Sequence, residues 1–243
     1  MLCDSHVHIG RFRELYFDPV ETAENLLSAG VEKWAVSSTT IALGKKYFRE
    51  TIKELESMEK AAPGRVFPVL WLLPEMLNSI EDYCTSHFKA FKLHGRLNYW
   101  GDEFIDKALD ASGKYSLPLL IHTGGDERND AGFYYRFCCR HPEALIVLAH
   151  GRPSVEALKI LRECPNTFVD TAFMSLEDIA SFLENGFAER MLWGTDYPLC
   201  RYFYPRQQPI KWLIRRKEKA LRVISREFRP SVFHENFKKL FLS

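Results

Sequence analysis

The chain has no Cys-x-x-Cys pair, no basic leader ahead of an apolar stretch, no apolar run long enough to cross a bilayer, and almost no net charge. Each absence excludes something. Six cysteines (Cys3, Cys84, Cys138, Cys139, Cys164 and Cys200) sit at spacings that suit neither a zinc ribbon nor a dithiol redox motif. The start, MLCDSHVHIG, does not read as a secretory signal, so reduced thiols packed as small apolar groups, and a cytoplasmic protein, are the expectation. The most apolar stretches, such as VFPVLWLL, are strand-length and fall well short of the roughly 20 residues of a membrane helix. A formal charge of +1 offers no field to draw in nucleic acid or an acidic bilayer. The expected partner is a small-molecule substrate, with no nucleic acid and no membrane; a homodimer is left open.

With 46% hydrophobic and 27% charged residues, the composition is that of a globular protein. Its 243 residues come close to the roughly 250 typical of one α/β barrel. Eight short apolar runs recur, at 2–9, 33–39, 66–73, 90–95, 117–124, 144–151, 167–173 and 190–198, each followed by a helical stretch. Asp18-Pro19 is a helix start and Gly30 a helix end; Pro63-Gly64 stops a stretch over 44–61. Further helices are expected near 78–87, 103–114, 130–140, 153–163 and 175–185, with two more in the tail at 208–226 and 230–242. Strict strand-then-helix alternation means parallel strands joined by crossovers, and eight of them point to a single (β/α)8 TIM barrel over residues 1–243. The basic run RRKEK (215–219) suggests either a phosphate-binding strip or the solvated face of an outer helix, and the second is the expectation.

Polar groups gather where these runs end, the barrel face that carries catalysis. His6 and His8 close the first run, His94 the fourth, His122 the fifth, His150 the sixth and Asp196 the eighth. Two residues apart on a strand, His6 and His8 share one face and can turn onto one ion. His122 and Asp196 would complete a set of three nitrogens and one oxygen, which suits one divalent metal ion, zinc first, with iron, manganese or nickel as alternatives. Taken singly each group has a plainer reading: a hydrogen-bonded pair for His6 and His8, a structural histidine for His122 or His150, a turn cap for Asp196. Taken together, six polar strand ends favour a metal site.

The ordered series DSHVHIG, FKLHGR, LLIHTGG, VLAHGRPS and LWGTDYP resembles the amidohydrolase superfamily, nearest the amidohydrolase-related branch that includes aminocarboxymuconate semialdehyde decarboxylase. The closing HENFKKLF is similar to that branch's E-N-x-x-R-L-F ending. The resemblance implies His6, His8, His122 and Asp196 as metal ligands, with His150 placed to act on water at the metal. It implies a metal-dependent hydrolase of a small ester, lactone or amide, in which Asp196 and His150 are catalytic. The rivals are a lyase, a non-oxidative decarboxylase of an aromatic or unsaturated acid, and a catalytically silent metal-binding barrel. Lys92 shares a face with His94; carboxylated, it would bridge a second metal, and otherwise it is an amine at the site floor paired with Asp170. The G-E-I-G-L-D pattern of the deoxyribonuclease branch has no counterpart in AFKLHG. Substrate contacts are expected from Arg152, Lys92 and His94, with Arg11, Arg96, Arg128 and Arg201 as further loop arginines. Trp100, Phe133 and Tyr197 are either walls for an aromatic substrate or ordinary core.

Overall fold

In the computed structural model, which describes residues 1–83, 87–98 and 101–242, the apolar runs pair into one curled sheet. Its strands are β1 (Cys3–Phe12), β2 (Leu15–Phe17), β3 (Lys33–Ser38), β4 (Val66–Trp71), β5 (Ala90–Leu93), β6 (Leu119–His122), β7 (Ile146–Ala149), β8 (Thr167–Asp170) and β9 (Met191–Leu192). From β1 through β3 to β9 each neighbour is parallel, in chain order. The chain beyond β9 then returns to β1: Val7 bridges Tyr197, Ser5 N donates to the Trp193 carbonyl (2.9 Å), and Asp196 N donates to the His6 carbonyl (2.8 Å). That contact closes a (β/α)8 barrel. Cys84 and Trp100, and the last part of the helix expected near 78–87, lie outside the described residues.

Period-two alternation sorts the strand residues into two layers. Outward-facing Phe91, Ile121, Leu148 and Val169 meet the ring of helices, while Ala35, Phe67, Leu120, Val147 and Phe168 fill the interior. The barrel floor is plugged by the final helix, Asn236–Phe241, whose Phe237, Leu240 and Phe241 pack into that interior set. One step of two residues up each strand, the inner face turns polar: Ala90 gives way to Lys92, Leu120 to His122, Phe168 to Asp170. The same alternation that builds the core therefore delivers a buried polar layer to the top of the barrel.

Helix starts follow their sequence signals. Asp18 Oδ1 accepts from the backbone N–H groups of Val20 and Glu21 at 2.9 Å each, and Pro19 opens the helix Pro19–Ser28. Two elements depart from expectation. The stretch 44–61 is helical only from Phe48, because Gly44 takes an extended positive-φ conformation (φ 126°) between two short turns. The first strand also runs on to Phe12 and folds back as the antiparallel β2, through a turn with Arg13 at φ 55°. Arginine carries no turn signal, which hid this hairpin. No helix among the described residues is long and apolar enough to cross a membrane.

Just past His8 the backbone is held by a buried carboxylate. Glu54, 5% exposed, accepts from the Ser38 hydroxyl (2.5 Å) and the Thr40 hydroxyl (2.9 Å), while Thr40 Oγ1 accepts from Arg11 N (2.8 Å). Gly10 crosses over this group at φ 85°, and a Cβ there would lie 2.6 Å from Glu54 Oε2, 2.7 Å from Ser38 Oγ, and against Thr40 Oγ1. Gly10→Ala should therefore cost roughly 2–4 kcal/mol and lower Tm by about 5–10 °C. A calorimetric melt within a degree of wild type would refute the crowding.

Burial also pushes the Glu54 carboxyl above its usual 4.5, against the pull of the Ser38 and Thr40 hydroxyls. The sign follows from linkage. A native carboxyl that ionises later than its unfolded counterpart costs no stability below pH 4.5; stability then falls as pH rises from 4.5 until the native group ionises. Glu54→Gln, which still offers an acceptor to these hydroxyls, should flatten that decline. Urea midpoints measured upward from about pH 4.5 check it, and equal slopes in both proteins would contradict it.

Candidate active site

The polar layer converges on one small cavity at the C-terminal end of the barrel. It holds about 20 Å³, room for a single water-sized body, and His6, His8, Lys92, His122, His150 and Asp196 are among its lining residues. His6 Nε2, His8 Nε2 and Asp196 Oδ1 form a tight triangle: 3.2 Å between the two nitrogens, 3.3 Å from His6 and 3.0 Å from His8 to the carboxylate oxygen. His6, His150 and Asp196 also offer one ligand atom each within 4.8 Å of one another. A larger cavity, about 540 Å³, lies elsewhere, lined by Met1, Leu2, Pro230 and Phe233 among others. None of the strand-end histidines reaches it.

Hydrogen bonds decide which ring nitrogens carry protons. Asp170 Oδ2 sits 2.8 Å from His6 Nδ1; a carboxylate only accepts, so that nitrogen bears the hydrogen and Nε2 keeps its lone pair. His8 Nδ1 lies 3.0 Å from the Ser37 hydroxyl, which can accept or donate, and 3.3 Å from the Ser37 carbonyl, which only accepts; a hydrogen on Nδ1 serves both and leaves the lone pair on Nε2. His150 Nδ1 faces the Ala172 carbonyl at 2.9 Å, leaving its Nε2 as an acceptor for His122 Nδ1, 3.1 Å away. His122 Nε2 is then a lone-pair donor as well. Lone pairs thus point inward from several sides, and Asp196 Oδ1 is buried without a hydrogen-bond partner.

Electrostatics agree. Burial pushes His8 and His150 down to about 4, so both are neutral imidazoles at neutral pH. It holds His94 and His122 well below the usual histidine range too. Burial works to raise the Asp170 carboxyl, but His6 and His150 outweigh it and bring the group down to about 2. Asp196 behaves alike: burial opposes ionisation, and His6, His8 and His150 together keep the carboxylate well below the usual range. Lys92 is the one cation inside, its amine lowered to about 8 by burial, with Nζ 2.5 Å from His6 Nε2 and 3.4 Å from His8 Nε2. It does not reach Asp170, whose oxygens are taken by His6 and by the backbone N–H groups of His150 (3.0 Å) and Ala172 (2.9 Å).

Two site residues have a left-handed backbone, His150 at φ 72° and Asp196 at φ 61°. Such conformations cost about 1–3 kcal/mol and persist where the surroundings over-determine them. For Asp196 the surroundings are Asp4 and Thr195: the Asp4 carboxyl group, its pKa pushed up to about 8 by burial, accepts from His6 N (3.0 Å), Thr195 N (3.1 Å) and Thr195 Oγ1 (2.5 Å), stapling β1 to the closing segment. His94 stacks between Trp71 (5.2 Å, 4°) and His122 (3.9 Å, 11°), and its Nδ1 is buried without a partner.

The structure thus gathers His6, His8, Lys92, His94, His122, His150 and Asp196 around one cavity. It leaves Arg152 outside: that guanidinium is exposed and donates to the Phe173 carbonyl (2.5 Å). Arg11 pairs with Glu50, Arg96 with Asp126 and Arg201 with Glu21, and Arg128 is exposed. Phe133 packs on Tyr134 and Phe137, and Tyr197 is core; the cavity's apolar walls are Phe12, Trp71, Leu97 and Leu199. Sequence reasoning missed Asp4, Trp71 and the orienting role of Asp170. Period two was the available signal for Asp170, which stands one inward step above Phe168.

Asp170→Asn isolates that orienting role. The amide oxygen still accepts from His150 N and Ala172 N, but the amide NH2 cannot accept from His6 Nδ1. Metal affinity should fall roughly 10–100-fold with the fold intact, as is usual for an outer-shell carboxylate. Competition with a chromophoric chelator reads it, and wild-type affinity would remove Asp170 from the site.

The family model described as amidohydrolase matches residues 3–242. No curated protein sequence matches the chain. Among solved structures, a probable 2-pyrone-4,6-dicarboxylic acid hydrolase from Acinetobacter baumannii is 11% identical with a TM-score of 0.73, covering 100% of this chain and 99% of that one. A TatD homologue from Escherichia coli K12 is 15% identical (TM-score 0.70; 100% and 98% covered), and 4-oxalomesaconate hydratase from Rhodopseudomonas palustris is 13% identical (TM-score 0.65; 100% and 96% covered). Identities this low speak for the shared barrel. The family match spans every strand that contributes to the cavity, and members of this superfamily are divalent-metal enzymes. The chain is an enzyme of the metal-dependent hydrolase type and belongs to the amidohydrolase family.

Proposed function

We propose that this barrel holds one divalent ion, zinc first, with His6, His8, His122 and Asp196, and hydrolyses an ester, lactone or amide of a small molecule. One observation carries the reading. The His6 and His8 Nε2 lone pairs and Asp196 Oδ1 stand within 3.3 Å of one another, buried, with both Nδ1 positions already committed. Acceptors this close need a proton or a cation among them, and a divalent ion would serve all three at once. The donor set, nitrogen with one carboxylate, fits zinc. Lys92 brings a single positive charge to the same lone pairs from a flexible four-carbon stem, which lets its amine yield to an ion.

A bound divalent ion supplies Lewis-acid polarisation of a carbonyl and a water acidified toward neutrality. The protein's own groups do the rest. Asp196 Oδ2 lies 3.9 Å from His150 Nε2, so the two face one another across the space where a water proton is released. His150, a neutral imidazole whose Nε2 lone pair is engaged by His122 Nδ1 in this structure, would take that proton at Nε2 once His122 turns its N–H away, and the Ala172 carbonyl on Nδ1 would steady the imidazolium. Among the described residues, His94, with a free buried Nδ1, Lys92 and Thr39 are the other polar residues lining the cavity. Arg152 is tied through one terminal nitrogen to the Phe173 carbonyl and does not line the cavity.

The test is a panel of lactones, esters, amides and aromatic acids offered to zinc-reconstituted protein, following proton and carbon dioxide release. Proton release without carbon dioxide is the expected result. Carbon dioxide would make the protein a decarboxylase. Tightly held metal without turnover on any class would make it a silent barrel.

A further inference from the structure

The basic run 215–219 does not behave as a plain solvated face. On the helix Pro209–Val223, Arg215 and Lys219 are exposed as expected, but Arg216 turns in towards the barrel rim. Its terminal nitrogen donates to the carbonyls of Thr171 and Met174 (2.8 Å to the latter), and burial lowers its pKa. Its Nε is buried with no hydrogen-bond partner. Beside it opens a third cavity, of about 400 Å³, lined by Phe173, Tyr204, Trp212, Arg215, Arg216 and Lys219, among others. No carboxylate lines it, and no ion pair neutralises any of its three cations among the described residues. None of its lining residues is shared with the histidine cavity.

Charge and shape indicate one class of ligand. Three cations without an ion-pair partner, the exposed Arg215 and Lys219 beside the half-buried Arg216, select an oxyanion, which can take charge-assisted bonds from two arginines at once. Phe173 packs against Trp212 (5.4 Å, 44°) and Tyr204 (6.4 Å, 36°), and all three line the cavity, so an apolar body there meets aromatic walls. A volume of this size suits a small organic molecule. We propose that this cavity is a binding site, separate from the histidine cluster, for a small aromatic oxyanion such as an aryl carboxylate or aryl phosphate.

The location gives such a ligand a route to the chemistry. It rests on Phe173, itself left-handed at φ 49°, in the segment whose Ala172 carbonyl holds His150 Nδ1 and whose Phe173 carbonyl holds Arg152. A ligand there would rest against the segment that orients His150. The binding proposal stands apart from the hydrolase reading, since neither Arg215 nor Lys219 touches the histidine cluster.

Isothermal titration of the full, zinc-loaded chain with benzoate and phenyl phosphate tests it, with benzamide and inorganic phosphate as controls. Saturable binding of at least one aryl oxyanion is expected, with both controls at least about tenfold weaker. Benzoate has a second destination at the metal, so the deciding variant is the double substitution Arg215→Gln, Lys219→Gln, on exposed positions. It should weaken the aryl oxyanion by roughly tenfold or more while zinc content stays unchanged. Affinity equal to wild type in the double variant, equal affinity for benzamide, or no binding of either aryl oxyanion would each overturn the proposal.

Discussion

His150→Asn is expected to keep its metal and to lose turnover by roughly 10²–10⁴-fold, the range a positioned general base contributes. Asparagine is the informative replacement. His150 sits at φ 72°, a conformation that asparagine adopts more readily than most residues, so the backbone should survive. The amide NH2 can also go on donating to the Ala172 carbonyl, as His150 Nδ1 does at 2.9 Å. What the variant cannot do is accept a proton. The outcome also separates two roles that the geometry brings close together, since His150 shares a ligand-distance cluster with His6 and Asp196. A base leaves metal content unchanged and lowers kcat and kcat/KM together; a ligand takes the metal with it. Full activity in the variant would dismiss both roles.

Asp196→Asn should instead empty the site. Its carboxylate is the one anion facing His6, His8 and His150 together, at 3.3, 3.0 and 3.9 Å, and those rings hold it ionised against burial. Replacing it with a neutral amide removes the charge that balances the ion and leaves three imidazoles around a dication. Metal affinity should drop by more than about 100-fold, beyond the usual effect of an outer-shell partner. Here too φ 61° suits asparagine, so near-wild-type secondary structure with lost metal is the predicted pattern. Retention of a full equivalent of zinc at wild-type affinity would mean that the carboxylate lies outside the coordination sphere.

The barrel was legible because its signals are local and periodic. Runs such as LLI and IVLA are apolar on both faces, and Asp18-Pro19 and Gly30 mark one helix by backbone chemistry alone. The polar strand ends were legible for the same reason, since period two fixes which residues point inward. Less visible was anything that depends on contacts between distant segments. Asp4 reads as an ordinary polar residue until Thr195, 191 positions on, donates to it. Trp71 is one more apolar residue in VFPVLWLL until His94 stacks on it. The direction of Arg216 is a tertiary fact: a basic run predicts solvent, and only the packing of the segment 171–174 against the helix turns one arginine inward. The pairing of His122 with His150 at 3.1 Å, rather than with His6 or His8, is likewise set by the spacing of neighbouring strands.

Anomalous diffraction at the zinc edge, from crystals of the reconstituted protein, addresses the central question at the level of atoms. We predict one peak inside the barrel mouth, about 2.0–2.2 Å from His6 Nε2, His8 Nε2, a His122 nitrogen and an Asp196 oxygen. A peak at any other place, or the His6 ring swung away from Asp170 with no ion beside it, would contradict the account.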